Sequence, residues 1–117
     1  MSSETYSSFA IAGGSGTIGS LITKELISNG SRVVVLSRSN ITAPTGTILK
    51  VVDYANEYSL FAALDGVQVV ISALPGVAIQ FQPALANAAK RAGVSLFVPS
   101  YVTTSRAILR FNSSLTQ

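Results

Sequence analysis

The residues of this sequence best spaced for chemistry are glycines. Gly13, Gly16 and Gly19 stand three apart, with Gly14 beside the first. An apolar run over residues 9–12 leads into them, and a helical pattern leads out: Ile18, Leu21, Ile22 and Leu26 on one side, Lys24 and Glu25 on the other. Strand, tight turn and helix are the context in which such spacing binds a dinucleotide. Gly13 would let the chain turn sharply out of the strand. Gly16 would remove a Cβ where a pyrophosphate approaches the main chain, and Gly19 would let the helix pack close. Amides of the Gly13-Gly14-Ser15-Gly16-Thr17-Ile18-Gly19 stretch, free at a helix start and aided by the macrodipole, would hold the phosphates. The alternative is a glycine-rich turn with no ligand.

Further residues could read the rest of such a ligand. About 20 residues past a glycine loop, an acid selects an unmodified ribose and an arginine accommodates a 2′-phosphate. That slot holds Ser37 and Arg38, and no Asp or Glu lies between Glu25 and Asp53. Arg38 offers a forked, permanently charged donor set, which favours NADP over NAD. The other reading is an ordinary exposed arginine at a strand end. Asp53 follows the third apolar run and could accept from an adenine amino group, with Tyr54 packing nearby; equally, Asp53 could cap the following helix. Ala73 and Leu74 follow the fourth run, where small residues would let a ribose approach, or where Pro75 and Gly76 make a plain turn.

The elements that must position these residues alternate. Strands are expected over 8–12, 32–37, 47–52, 67–72 and 94–98. Helices are expected over 17–28, 56–64 and from about 82 to 92, with Pro83 in the first turn of the last. Gly30 suits the left-handed position after the first helix. The run from Val33 to Leu36 does not alternate with polar residues, as in a strand buried on both faces. Alternating strands and helices predict a Rossmann-like, doubly wound α/β sheet, with right-handed crossovers giving the order 3-2-1-4-5. Residues 38–46 are too rich in Ser, Thr and Pro for a good crossover helix.

Composition bounds the function. The chain has 117 residues, 48% apolar and only 11% charged, as expected for one domain with a sheet covered on both faces. Its net charge of +3 comes from scattered lysines and arginines, without the basic patch that nucleic acid requires. There is no cysteine for disulfides or thiol chemistry and no histidine for acid–base work or metal binding. The polar first residues lack a signal core and no run is long enough to span a bilayer, so a cytoplasmic protein is expected.

The glycine stretch, Leu36-Ser37-Arg38, Val52-Asp53, and the block Ala89-Lys90-Arg91-Ala92-Gly93-Val94-Ser95-Leu96-Phe97-Val98-Pro99-Ser100 resemble the NmrA-like and isoflavone-reductase-like branch of the atypical short-chain dehydrogenases. The likeness covers about residues 8–100. It implies a Rossmann fold, an NADP(H) cofactor, and either reduction of small aromatic or phenolic substrates or redox sensing without turnover. The family is typically more than twice as long and continues after Pro-Ser with Glu-Phe-Gly, where this chain has Tyr101-Val102-Thr103-Thr104. Residues 1–100 are therefore read as a dinucleotide-binding unit, the first half of such a protein, and 101–117 as a divergent tail.

A reductase of this superfamily often donates its proton from a Tyr with Lys four residues on. Here Tyr6, Tyr54, Tyr58 and Tyr101 have Ala10, Tyr58, Ala62 and Ser105 at that position. The expectation is a cofactor-binding module without its own turnover, or a reductase completed by another chain or domain; a fragment without function is a third reading. The fifth strand's outer edge, if bare, would pair with another copy, unless the tail covers it through Ile108, Leu109 and Phe111.

Overall fold

The computed structural model describes residues 6–13, 16–74 and 76–99 and the main chain of 109–110. Gly14, Ser15, Pro75, Ser100, Ile108 and Phe111, all named above, lie outside the described residues. The element order is β1 (Ser8–Ala12), α1 (Thr17–Ser28), β2 (Arg32–Ser37), β3 (Ile48–Val51), α2 (Glu57–Ala63) and β4 (Val69–Ser72). A 3-10 segment (Gly76–Phe81) then runs directly into α3 (Gln82–Arg91), followed by β5 (Leu96–Val98) and β6 (Leu109–Arg110).

The strands form one sheet in the order β3-β2-β1-β4-β5-β6. Its first five members are parallel and stand in the order 3-2-1-4-5 expected of a Rossmann-like sheet. Ile11 lies beside Val35 on one side and Ile71 on the other, and Val35 lies beside Leu49, so these four residues share a face. Ala10, Val34, Val70 and Phe97 share the opposite face. That second face carries the main core, where Leu60 and Leu64 from α2 and Leu85, Ala88 and Ala89 from α3 are all buried. The first face is covered by α1 through Ile22, Leu26 and Ile27, with Ala43 from the β2–β3 connection. Helices on both faces explain why β2 can be four consecutive buried apolar residues.

The contact face of α1 departs from its apolar pattern. Ile18 and Leu21 are 62% and 61% exposed, while Gly19 and Thr23 are buried. The Thr23 hydroxyl donates to the Gly19 carbonyl at 2.7 Å, which satisfies its polar atom within the helix. Small residues thus set the approach of α1 and turn the larger ones outward. The helix ends as expected at Gly30, with φ +82° and the Ser31 N–H reaching back to the Leu26 carbonyl at 3.1 Å.

The fifth strand does not present a bare edge. β6 pairs with it antiparallel, Leu109 opposite Phe97 and Arg110 opposite Leu96. Among the described residues, no helix is long and apolar enough to cross a membrane.

Candidate functional site

The predicted site residues that the structure describes lie at the carboxyl ends of the strands. β1 and β4 stay zipped to their last residues, the Ala73 N–H donating to the Ala12 carbonyl at 2.7 Å. Beyond that bond the chain leaves β1 toward α1 on one face and leaves β4 toward α3 on the other. Diverging connections of this kind open the crevice in which doubly wound folds hold their ligands.

Gly13 stands at the floor of the crevice with φ +83°, a conformation that side chains resist. A Cβ there would lie 2.5 Å from the Ala73 carbonyl oxygen and 3.3 Å from the Leu74 nitrogen. The assigned roles of Gly13, Ala73 and Leu74 therefore meet in one place: main chain packs on main chain, and Leu74 anchors its side chain in the core. Gly16 is different. Its φ of −77° is ordinary, and among the described residues a Cβ would meet the Gly13 carbonyl oxygen alone, at 3.4 Å. Any residue could adopt this φ, and the space that the described residues leave above it suits a bulky anion.

Gly16 is also the residue capping the start of α1, and among the described residues no side chain caps that start. With the Ser20 N–H already bonded to the Gly16 carbonyl at 2.8 Å, Thr17, Ile18 and Gly19 supply first-turn amides, which have no acceptor within a helix. No acidic residue occupies this turn. Thr17 and Ile18 are exposed and Gly19 is buried.

A second cluster forms beyond β2 and β3. Arg38, Asp53 and Tyr54 line a cavity of about 210 Å³ together with Val52, Ala55 and Phe81. Tyr54 stacks on Phe81 with ring centroids 4.9 Å apart and planes 17° from parallel. The Arg38 guanidinium carbon lies over the Phe81 ring, 5.0 Å from its centroid. Tyr54 is buried and, among the described residues, its hydroxyl finds no hydrogen-bond partner. Burial pushes its phenol up to about 12, although the nearby Arg38 charge pulls the other way.

Ser37 and Asp53 bond within their own loops. The Ser37 hydroxyl donates to the Ser39 carbonyl at 2.7 Å and accepts from the Ser39 N–H at 3.2 Å, which shapes the turn carrying Arg38. Asp53 does not cap α2. That role falls to Asn56, whose side-chain oxygen accepts from the Tyr58 and Ser59 amides, while Asp53 accepts from Ala55 N–H at 2.9 Å. The carboxylate of Asp53 is exposed beside the cavity. Sequence reasoning missed Phe81. Its signal is position alone: an aromatic immediately before the helix that follows the switch-point strand.

Two other features set bounds. A larger groove, about 550 Å³, lies between α2 and α3 and is lined by Glu57, Tyr58, Phe61 and Arg91; it has no glycine turn or strand end. Among the described residues no three His, Cys, Asp or Glu side chains come together as a metal site would need.

The NmrA-like family profile matches residues 5–113. The chain belongs to the NmrA-like family. Among solved structures, it is similar to one from a set of pinoresinol-lariciresinol and phenylcoumaran benzylic ether reductases related to isoflavone reductases: 32% identity, TM-score 0.72, covering 84% of this chain and 37% of that one. It is similar to AtPrR2 with NADP+ and (+)pinoresinol, at 29% identity and TM-score 0.71, covering 83% of this chain and 37% of that one. It also resembles MoeE5 in complex with UDP-glucose and NAD, at 26% identity and TM-score 0.63, covering 77% and 34%. Among curated proteins none matched. This NmrA-like chain thus spans little more than a third of the length of AtPrR2.

Proposed function

We propose that this chain is the dinucleotide-binding part of an NmrA-like protein, that it takes NADP(H) in preference to NAD(H), and that it has no turnover of its own. The observation that carries the reading is the start of α1, which no described side chain caps, with its amides beside Gly16, whose φ any residue could adopt. The pyrophosphate would lie over Gly13 to Gly19, with Gly14 and Ser15 completing the loop as the sequence implies. Arg38 would take the 2′-phosphate, and the cavity beside Asp53 and Tyr54 would take the adenosine end. The Tyr54 hydroxyl, without a hydrogen-bond partner among the described residues, and the Arg38 guanidinium over the Phe81 ring would suit a polar ligand there. The AtPrR2 complex with NADP+ supports the choice of cofactor; MoeE5 is in complex with NAD, so the choice would fall here to Arg38. When bound, the nicotinamide supplies hydride chemistry, and this chain supplies grip and orientation.

Residues 1–100 would form the binding unit and 101–117 a divergent tail, in a cytoplasmic protein. Self-association through β5 would have to displace β6 from Leu96 and Phe97. The similar reductases favour a second reading, in which another chain or domain completes a site for small aromatic or phenolic substrates.

Thermal-shift titration with NADP+ and NAD+ tests the first reading. NADP+ should stabilise the protein more at equal concentration, and Arg38→Ala should remove most of the difference. The loss expected for a charge-assisted phosphate contact is about 1.5–3 kcal/mol. Equal shifts would refute the NADP preference, and no shift with either would refute the site. NADPH consumption with a panel of phenolic substrates would favour the second reading.

A further inference from the structure

Phe81 joins two elements. It ends the 3-10 segment and caps the start of α3, with helical backbone angles (φ −85°, ψ −7°). Four to eight residues on, Leu85, Ala88 and Ala89 bury α3 in the main core, so the helix that carries the Phe81 ring is held firmly. The ring is half-buried and packs against that same core. Tyr54 stacks on it, and Arg38 lies over it.

Among the described residues, no carboxylate pairs with Arg38. The ion pair found among the described residues joins Arg91 to Glu57 at 2.8 Å, on the outer side of α2 and α3. A long exposed side chain with no partner samples many rotamers, and gripping an anion would have to freeze them. The Phe81 ring offers the guanidinium a face to rest on, and a guanidinium held by its face keeps its in-plane N–H donors free for a phosphate. The Ser37–Ser39 turn fixes the main chain on either side of Arg38, so the backbone and the charged end of this residue are both constrained.

We propose that Phe81 is a positioning residue for cofactor choice: by holding Arg38 over its ring, it sets how strongly this chain prefers a 2′-phosphorylated adenosine dinucleotide over the unphosphorylated one. The proposal rests on the dinucleotide reading above. It assigns Phe81 no contact with the reacting atoms, and it makes the preference a property of the Arg38–Phe81 pair.

The test is calorimetric binding of NADP+ and NAD+ to the unmodified protein, Phe81→Leu, Phe81→Tyr, Arg38→Ala and the Arg38→Ala/Phe81→Leu double variant, each checked for fold by circular dichroism. Phe81→Leu should weaken NADP+ about three- to tenfold and leave NAD+ within about twofold. Phe81→Tyr, which keeps the ring, should restore the preference. In the Arg38→Ala background, Phe81→Leu should leave the NADP+/NAD+ ratio unmoved, because the partner it acts through is gone. Binding of both dinucleotides with a ratio that Phe81→Leu does not change overturns the role of Phe81 alone. So does an equal loss for both, which would make Phe81 a support of the adenosine cavity. Failure of the unmodified protein to bind either dinucleotide overturns the reading of the crevice, and the proposal falls with it.

Discussion

The two ends of the sheet treat their polar groups differently. At the amino end, the Gln68 side-chain oxygen accepts from the Ser7 N–H at 2.8 Å and the Ser8 N–H at 3.1 Å. The main chain of Gln68 donates to the Ser8 carbonyl and accepts from Ser95 and Leu96, so one residue ties β1, β4 and the entry to β5. Arg32 donates to the Ser8 hydroxyl at 3.2 Å. At the carboxyl end, no described side chain caps α1, the Tyr54 hydroxyl has no partner among the described residues, and Arg38 rests on a ring. A buried polar atom left unpaired, as the Tyr54 hydroxyl is among the described residues, destabilises a fold, whereas Thr17, Ile18 and Arg38 are exposed. The amino end satisfies its polar groups within the fold, and the carboxyl end is where the proposed ligand would meet them.

That contrast can be broken at three points. Gly13→Ala has the largest expected effect, since it forces a left-handed side chain into the Ala73 carbonyl. It should lower stability by about 3 kcal/mol or more in urea unfolding, from backbone strain and overpacking combined. A small loss would mean that β1 and β4 can part without cost. Gln68→Ala leaves the Ser7 and Ser8 amides without their acceptor and should cost about 1–2 kcal/mol. Dinucleotide affinity should stay unchanged, and a fall would erase the separation between the ends.

Tyr54→Phe should have the smallest effect at neutral pH, from none to a gain of about 1 kcal/mol, because it deletes an unpaired hydroxyl from the interior. Its signature is alkaline. The phenol titrates near 10.0 when unfolded and near 12 when folded, so between those values the native state holds more protons. The stability that the neutral phenol contributes is complete below pH 10.0 and is lost as pH rises through about 12. The unmodified protein should therefore weaken over that window relative to Tyr54→Phe, as followed by melting temperature. Parallel curves would show that Tyr54 is not desolvated.

Much of this was legible in the sequence, for physical reasons. β2 reads as a buried parallel strand because four apolar residues in succession need cover on both faces. Gly13 announces itself because only glycine accepts both its φ and its neighbour. The inner side of α1 was legible at Gly19, read from its motif as a close-packing point, but obscured at Thr23, since apolar periodicity counts Ile18 and Leu21 instead. Asp53 and Asn56 are both good caps three residues apart, and only the geometry of the turn between them selects Asn56. Phe81 was hidden because its partners are 43 and 27 positions earlier, at Arg38 and Tyr54, and a long-range stack leaves no local pattern. The pairing of β6 likewise depends on distant main chain.

The contact between Gly13 and the Ala73 peptide gives the crevice a base made of backbone, with no side chain interposed. In the proposed reading, such a base would be indifferent to side-chain type and would tell no two such cofactors apart. Discrimination would then fall to exchangeable groups at the periphery, Arg38, Tyr54 and Phe81. An engineer wishing to switch the preferred nucleotide could rewrite that periphery and leave the hinge of the two strands untouched.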